Sequence, residues 1–150
     1  MSEENKSEWT PPTVEEIVSR LKSDRDGVIW FNTLRKEHPN WEPDLCEVEF
    51  TGMYLVGVNF SGARLIETSF VSAHLCRANF REANLQGANF REANLDEALF
   101  IDAQLTSVNF EKAQTDAVNW WGANITGAYG MRQSTIELVL ATMRDSVRNY

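Results

Sequence analysis

The sequence predicts an all-β solenoid with α-helical segments at both ends, and two columns of residues carry that reading. From Leu45 onward a large apolar residue returns at every fifth position: Leu45, Phe50, Leu55, Phe60, Leu65, Phe70 and so on to Phe110, with Leu and Phe in strict alternation. Two residues before each lies a second, smaller column: Val48, Met53, Val58, Ala63, Thr68, then Ala at every repeat from Ala73 to Ala103, then Val108. The pattern weakens at Thr115 and resumes with Val118, Trp120, Ala123 and Ile125; of the 17 positions from 45 to 125 in steps of five, only Thr115 is not large and apolar. A helix face needs returns near about 3.6 residues and a strand face returns at about two. A period of five fits neither. It requires a chain that turns a corner once per repeat, with one large and one small side chain inward and three residues outward. Stacked coils around a continuous interior column follow.

Composition limits the function. The chain has 150 residues, enough for one domain, and its 43% hydrophobic and 24% charged residues are ordinary for a soluble globular protein. With 14 Lys+Arg against 22 Asp+Glu, the formal net charge is −8. That sign opposes a simple grip on nucleic-acid phosphate or on an anionic membrane, so no direct nucleic-acid or membrane partner is expected. No apolar run approaches the ~18 residues of a membrane-spanning helix. The opening MSEENKSEWTPP lacks the basic start and apolar stretch of a secretory signal, so a cytoplasmic location is expected.

The repeat units read ANFRE (78–82), ANLQG (83–87), ANFRE (88–92) and ANLDE (93–97). They resemble the pentapeptide-repeat family, whose motif is Ala–Asn/Asp–Leu/Phe followed by two variable residues, and the resemblance covers residues 43–129. It implies a right-handed quadrilateral β-helix with four pentapeptides per coil. The repeats then make a little over four coils, and at about 4.8 Å per coil the tower stands roughly 20 Å tall. Cys46 and Cys76 lie six repeats apart, and the four-unit coil implied by the family resemblance sets them on opposite faces, out of reach of a disulfide. Two free thiols fit a reducing compartment. The chain divides into an N-terminal tail and helical cap (1–42), the β-helix (43–130) and a C-terminal helix (131–150).

A solenoid exposes apolar surface and unpaired backbone at each end, so both ends need covers. Thr13 and Glu16 form a capping-box pattern ahead of Val14, Ile17, Val18 and Leu21, in a helix expected to stop by Gly27. A second helix is expected over Val28 to Glu37, ended by Pro39. The segment GVIWFNTLRKEHPNWEPDL resembles a lead-in of cyanobacterial pentapeptide-repeat proteins, with matches at Asn32, Arg35, Pro39, Asp44 and Leu45; the family's Trp falls at Phe31, and Trp30 sits one place early. That resemblance implies a cyanobacterial source. At the other end Ser134 is positioned to cap a helix with the stripe Ile136, Val139, Leu140, Met143 and Val147, and Leu138 lies off that stripe. These helices either cover the solenoid only, or the last also dimerises, which leaves a monomer or a C-terminal-helix dimer.

Twenty-residue spacing puts side chains above one another on the outside. Arg91 stacks on Glu111, Glu92 on Lys112 and Arg77 over Glu97, pairs worth at most ~1 kcal/mol each. Asn79, Asn84, Asn89 and Asn94 are expected to bond nearby backbone at the corners. Three columns place like charges together: Glu47 with Glu67, Glu82 with Asp102, and Asp96 with Asp116. Solvent screening accounts for them, or they form a surface for a basic partner. No cluster offers the roughly six oxygens calcium needs, and no metal or cofactor site is expected. The apolar outward residues are more informative. Leu99 and Ile101 flank the inward Phe100, and Trp121 lies one coil away on the same face. Such a patch suggests a partner site, unless a terminal helix folds back over it. Tyr54 and Val56 make a smaller patch.

Catalytic chemistry is not legible. His38 and His74 stand near no nucleophile motif, and the chain has no GxGxxG, no phosphate-binding GxxxxGK[ST] and no His/Cys metal spacing. The expectation is a non-enzymatic protein–protein interaction module with an unidentified protein partner. An alternative comes from resemblance to acidic pentapeptide-repeat proteins that mimic DNA, bind a type II topoisomerase (gyrase) and confer quinolone resistance. The charge of −8 and the acidic columns favour it, whereas the short tower, the interspersed basic residues and the lack of projecting loops oppose it. A structural or regulatory subunit is a third possibility.

Overall fold

The five-residue period becomes a coil of twenty. The computed structural model describes residues 8–148, with side chains in the last helix described through Asp145. Parallel bridges join residues twenty apart, from Asp44 with Arg64 and Glu49 with Ser69 to Asn109 with Tyr129. Four repeats therefore make one coil, and each repeat lies on its counterpart in the next. The ladder alternates around the inward residue: Asn79 donates its N–H down to the Val58 carbonyl (2.9 Å), and Phe80 donates up to Leu99 (2.8 Å).

The repeats end in tight turns, closed except at Thr115 by a bond such as Ala83 N–H to Phe80 O, 3.1 Å. The second corner residue is left-handed in every repeat from Glu47 (φ 60°) to Gly127 (φ 70°), as in a type II turn. Glycine occupies only six of these corners, at 52, 57, 62, 87, 122 and 127. The others hold Glu, Ser, Arg, Asp, Lys or Ala at a cost of about 1 kcal/mol each. Ala117 (φ 53°) is exposed and has no polar group with which to offset that cost. Ala117→Gly is therefore expected to raise stability by up to about 0.5 kcal/mol, the left-handed penalty of about 1 kcal/mol less glycine's extra chain entropy of about 0.5–1 kcal/mol. A lower melting temperature would show that this corner is unstrained.

Because Leu and Phe alternate, phenylalanines come from every second face. The inward residues from Leu45 to Phe110 are fully buried. Phe50, Phe70, Phe90 and Phe110 rise along one face, and Phe60, Phe80, Phe100 and Trp120 along another. From Phe70 onward, rings on one face stack nearly parallel (Phe70–Phe90, 4.8 Å, 6°) and rings from different faces meet edge-on (Phe80–Phe90, 5.5 Å, 84°), whereas Phe60 is tilted against Phe50, Phe70 and Phe80. Both arrangements suit the aromatic quadrupole. The small alanine column at the corners leaves room for them.

Helices α1 (Val14–Leu21), α2 (Asp24–Glu37) and α3 (Gln133–Arg148) accompany the coils. The Thr13 hydroxyl caps α1 by accepting the Glu16 N–H at 3.2 Å. Helix α1 stops before Gly27 as expected, but α2 starts at Asp24 and not at Val28. Gly27 therefore lies inside α2, where a Cβ would stand 2.0 Å from the Arg20 carbonyl oxygen and 2.9 Å from the Leu21 Cα. It permits the close approach of α1 to α2. Phe31 of α2 then meets Phe60 (5.4 Å) and Trp41 (5.8 Å), closing the first coil. Two side chains of α2 stand in for a missing coil. Asn32 Oδ1 accepts the Asn59 N–H (2.8 Å), a role the Val58 carbonyl plays for Asn79 one coil on, and its Nδ2 donates to Gly57 O (2.9 Å). Arg35 Nη2 donates to Ser61 O, where a backbone N–H serves the equivalent Arg81 carbonyl.

At the far end α3 begins at Gln133, so Ser134 lies within its first turn and not at the cap. Val139 is fully buried, and Ile136 and Met143 are half-buried. Leu140, expected in the stripe, is instead exposed, as is Leu138. The Val147 side chain lies outside the described residues.

Candidate functional site

The repeats 58–62, 78–82, 98–102 and 118–122 stack into one outer face, the fourth of each coil. The bridge column is Asn59, Asn79, Leu99, Asn119; the next column out is Ser61, Arg81, Ile101, Trp121; the corner column is Gly62, Glu82, Asp102, Gly122. Leu99 bridges Asn79 and Asn119, and the Ile101 and Trp121 carbonyls accept the N–H groups of Glu82 (2.9 Å) and Asp102 (2.8 Å). The backbone thus places Leu99, Ile101 and Trp121 beside one another. Leu99 and Ile101 are half-buried, and Trp121 is 47% exposed. Helix α3 borders this patch: Leu138 and Thr142 share a shallow cavity of about 340 Å³ with Trp120 and Trp121, which neither Leu99 nor Ile101 lines.

Leu99 also forgoes a local bond. All eight asparagines in the bridge position, including Asn79, Asn84, Asn89 and Asn94, accept the N–H two residues on, at 2.8–3.2 Å. Leucine cannot.

The acidic pairs fall on three different faces. Glu47 and Glu67 lie on the first, Asp96 and Asp116 on the third, Glu82 and Asp102 on the fourth. The third-face pair is absorbed by the fold. Gln114 does not make the short asparagine turn, so the Asp116 N–H goes to Asp96 Oδ1 (3.1 Å), and Arg132 pairs with Asp116 at 3.5 Å. Asp102 leans over Gly122, its Oδ1 2.0 Å from where a Cβ would stand, so a larger residue at 122 would displace it. Arg77 and Glu97 pair as stacked (3.0 Å), which holds the Glu97 carboxyl below its ordinary pKa. Arg64 pairs likewise with Asp44 one coil apart. Among the described residues Arg91 with Glu111 and Glu92 with Lys112 form no ion pair, and Arg91 meets its neighbour Glu92 at 2.7 Å.

Cys46 and Cys76 are free, half-buried and on the first and third faces. Burial raises both thiol pKa values, and Asp44 adds to this at Cys46 and Asp96 at Cys76. His38 stacks on Trp9 at 3.7 Å, and His74 is exposed beside Tyr54. Among the described residues no group of three or more His, Cys, Asp or Glu could hold a metal ion.

Residues 44–120 match the family described as pentapeptide repeat region. The chain belongs to the pentapeptide repeat family. A family member from the Arabidopsis thaliana thylakoid lumen, known from its crystal structure, is 30% identical over 67% of this chain and 76% of its own, with a TM-score of 0.45. A pentapeptide repeat protein from Nostoc is 24% identical over 69% of this chain and 89% of its own, with a TM-score of 0.51. HetL, a Nostoc pentapeptide repeat protein involved in heterocyst differentiation regulation, is 31% identical over 57% of this chain and 39% of its own, with a TM-score of 0.39. No curated protein matches the chain. Among the described residues no helix is long and apolar enough to cross a membrane.

One residue of interest was visible in the sequence only as a match to the lead-in segment. Arg35 is buried at the foot of the fourth face, 6% exposed. A buried arginine has no periodic signature, because its burial depends on how α2 meets the first coil.

Proposed function

We propose that the protein is a non-enzymatic protein–protein interaction module: a right-handed quadrilateral β-helix whose fourth face presents Leu99, Ile101 and Trp121 to a protein partner. One observation carries the reading. The half-exposed Trp121 ring stands next to Leu99 and Ile101 on a backbone held rigid by ladder bonds, at a place where the repeat otherwise puts a bond-forming asparagine. Aromatic anchors flanked by aliphatic residues supply most of the affinity of many interfaces. The half-buried thiols fit a reducing compartment such as the cytoplasm.

Ile101→Glu combined with Trp121→Glu is expected to abolish partner capture from a native lysate while circular dichroism stays native. Loss of the fold would mean that the patch is core, and identical captures by the two baits would end the reading. The net charge of −8 supports the second reading, a DNA mimic that binds gyrase. The spread of the acidic pairs over three faces weighs against it. A supercoiling assay that shows neither inhibition nor protection of gyrase at micromolar protein would eliminate it.

A further inference from the structure

The foot of the fourth face holds a second feature, independent of the apolar patch. Arg35 commits Nη2 to Ser61, donating to its carbonyl and lying 3.5 Å from its Oγ. Its Nε and Nη1 are buried and have no hydrogen-bond partner among the described residues. These nitrogens carry most of the guanidinium's donors. Burial lowers the Arg35 pKa, and the Glu42 charge offsets part of that. The Trp41 ring lies 5.8 Å from Cζ. Leaving buried charged donors without an acceptor is costlier than leaving neutral ones. Bonding Ser61 uses Nη2 alone, which leaves the donors on Nε and Nη1 open to another acceptor.

A cleft of about 470 Å³ opens against Arg35 and is also lined by Trp41, Glu42, Arg81 and Glu82. That volume suits a small ligand or one side chain of a larger one. Among the described residues Glu42, Arg81 and Glu82 take part in none of the ion pairs, which form elsewhere. Two cations and two anions therefore face one space without neutralising each other directly. We propose that this cleft binds a carboxylate-bearing ligand, with Arg35 and Arg81 receiving the carboxylate. A doubly charged anion such as phosphate would meet repulsion from both glutamates, whereas a single carboxylate meets less. An ammonium group on the same ligand would find Glu42 and Glu82 within the cleft. Access to Nε and Nη1 requires the residues around the guanidinium to shift as the ligand enters, because both atoms are covered.

The carboxylate can come from a free small acid or from an acidic side chain of a protein docked on this face, and one titration separates the sources. The full-length protein, labelled with nitrogen-15, would be titrated with acetate, with glycine and with the tripeptide acetyl-Gly-Asp-Gly-amide, with inorganic phosphate as contrast. The Arg35 Nε–H and Trp41 indole N–H signals are expected to shift saturably with the carboxylate probes. Tighter binding of glycine identifies a free amino acid, and tighter binding of the tripeptide identifies a protein side chain. Arg81→Gln should weaken binding about tenfold, as for loss of one charge-assisted bond. Glu42→Gln should tighten it. The Ile101→Ala/Trp121→Ala variant, which removes the patch without setting a new carboxylate one coil from Arg81, should keep the shift, so failure of the patch reading leaves this proposal standing. Absence of a saturable shift with all three carboxylates, phosphate binding tighter than each of them, or unchanged affinity in Arg81→Gln would overturn it.

Discussion

Phe90→Ala is expected to destabilise the protein by about 3–5 kcal/mol, a large effect for a single core truncation. Phe90 is fully buried and touches four rings: it stacks on Phe70 (4.8 Å) and Phe110 (5.5 Å) and meets Phe80 (5.5 Å) and Phe100 (5.7 Å) edge-on. Each aromatic pair contributes about 0.5–1.5 kcal/mol beyond burial. The cavity left behind cannot collapse easily, because ladder bonds hold the backbone on both sides: Phe90 N–H to Asn109 O at 2.8 Å and Asn89 N–H to Thr68 O at 3.0 Å. The cost should therefore fall at the high end for its chemistry. Urea denaturation monitored by far-ultraviolet circular dichroism checks this. A loss below about 1.5 kcal/mol would mean that the coils can close over a missing ring.

Asn32→Leu is expected to cost about 2–4 kcal/mol, although it removes no core side chain. It deprives the Asn59 N–H and the Gly57 carbonyl of their partners at the open edge of the first coil, and leucine offers them nothing. Asn32→Asp retains an acceptor for Asn59 and loses the donor to Gly57, so its cost should be smaller. Stability in stacked repeats is a sum of local and nearest-neighbour terms. Hydrogen exchange should accordingly accelerate most in the first coil and least around Phe90. Uniform acceleration along the tower would show that α2 acts on the whole array and does not cap only its edge.

The acidic columns show where sequence arithmetic stops. Counting by twenty stacks Asp96 on Asp116, and the stack is real. Its purpose was hidden, because the hydrogen bond from Asp116 N–H to Asp96 arises only where Gln114 interrupts the asparagine turns. The neighbouring glutamate claimed Arg91 for a similar reason. A flexible guanidinium reaches either partner, and the choice depends on side-chain direction at a left-handed corner, which composition does not encode. The same count put Leu99, Ile101 and Trp121 on one face, but whether α3 covered them depended on where that helix docks.

By itself the sequence determined the coil, its core and the face on which each outward residue stands. A five-residue recurrence of large and small apolar positions demands a corner once per repeat, the resemblance of the units to the pentapeptide-repeat motif supplied four repeats per coil, and the pattern repeats locally without reference to distant residues. Tertiary structure alone decided the ends and the cleft. Gly27 became a helix crossing, Asn32 a substitute peptide group, and Arg35 a buried charge with unanswered donors, because each meets a partner across 7 to 27 residues of chain that no period relates.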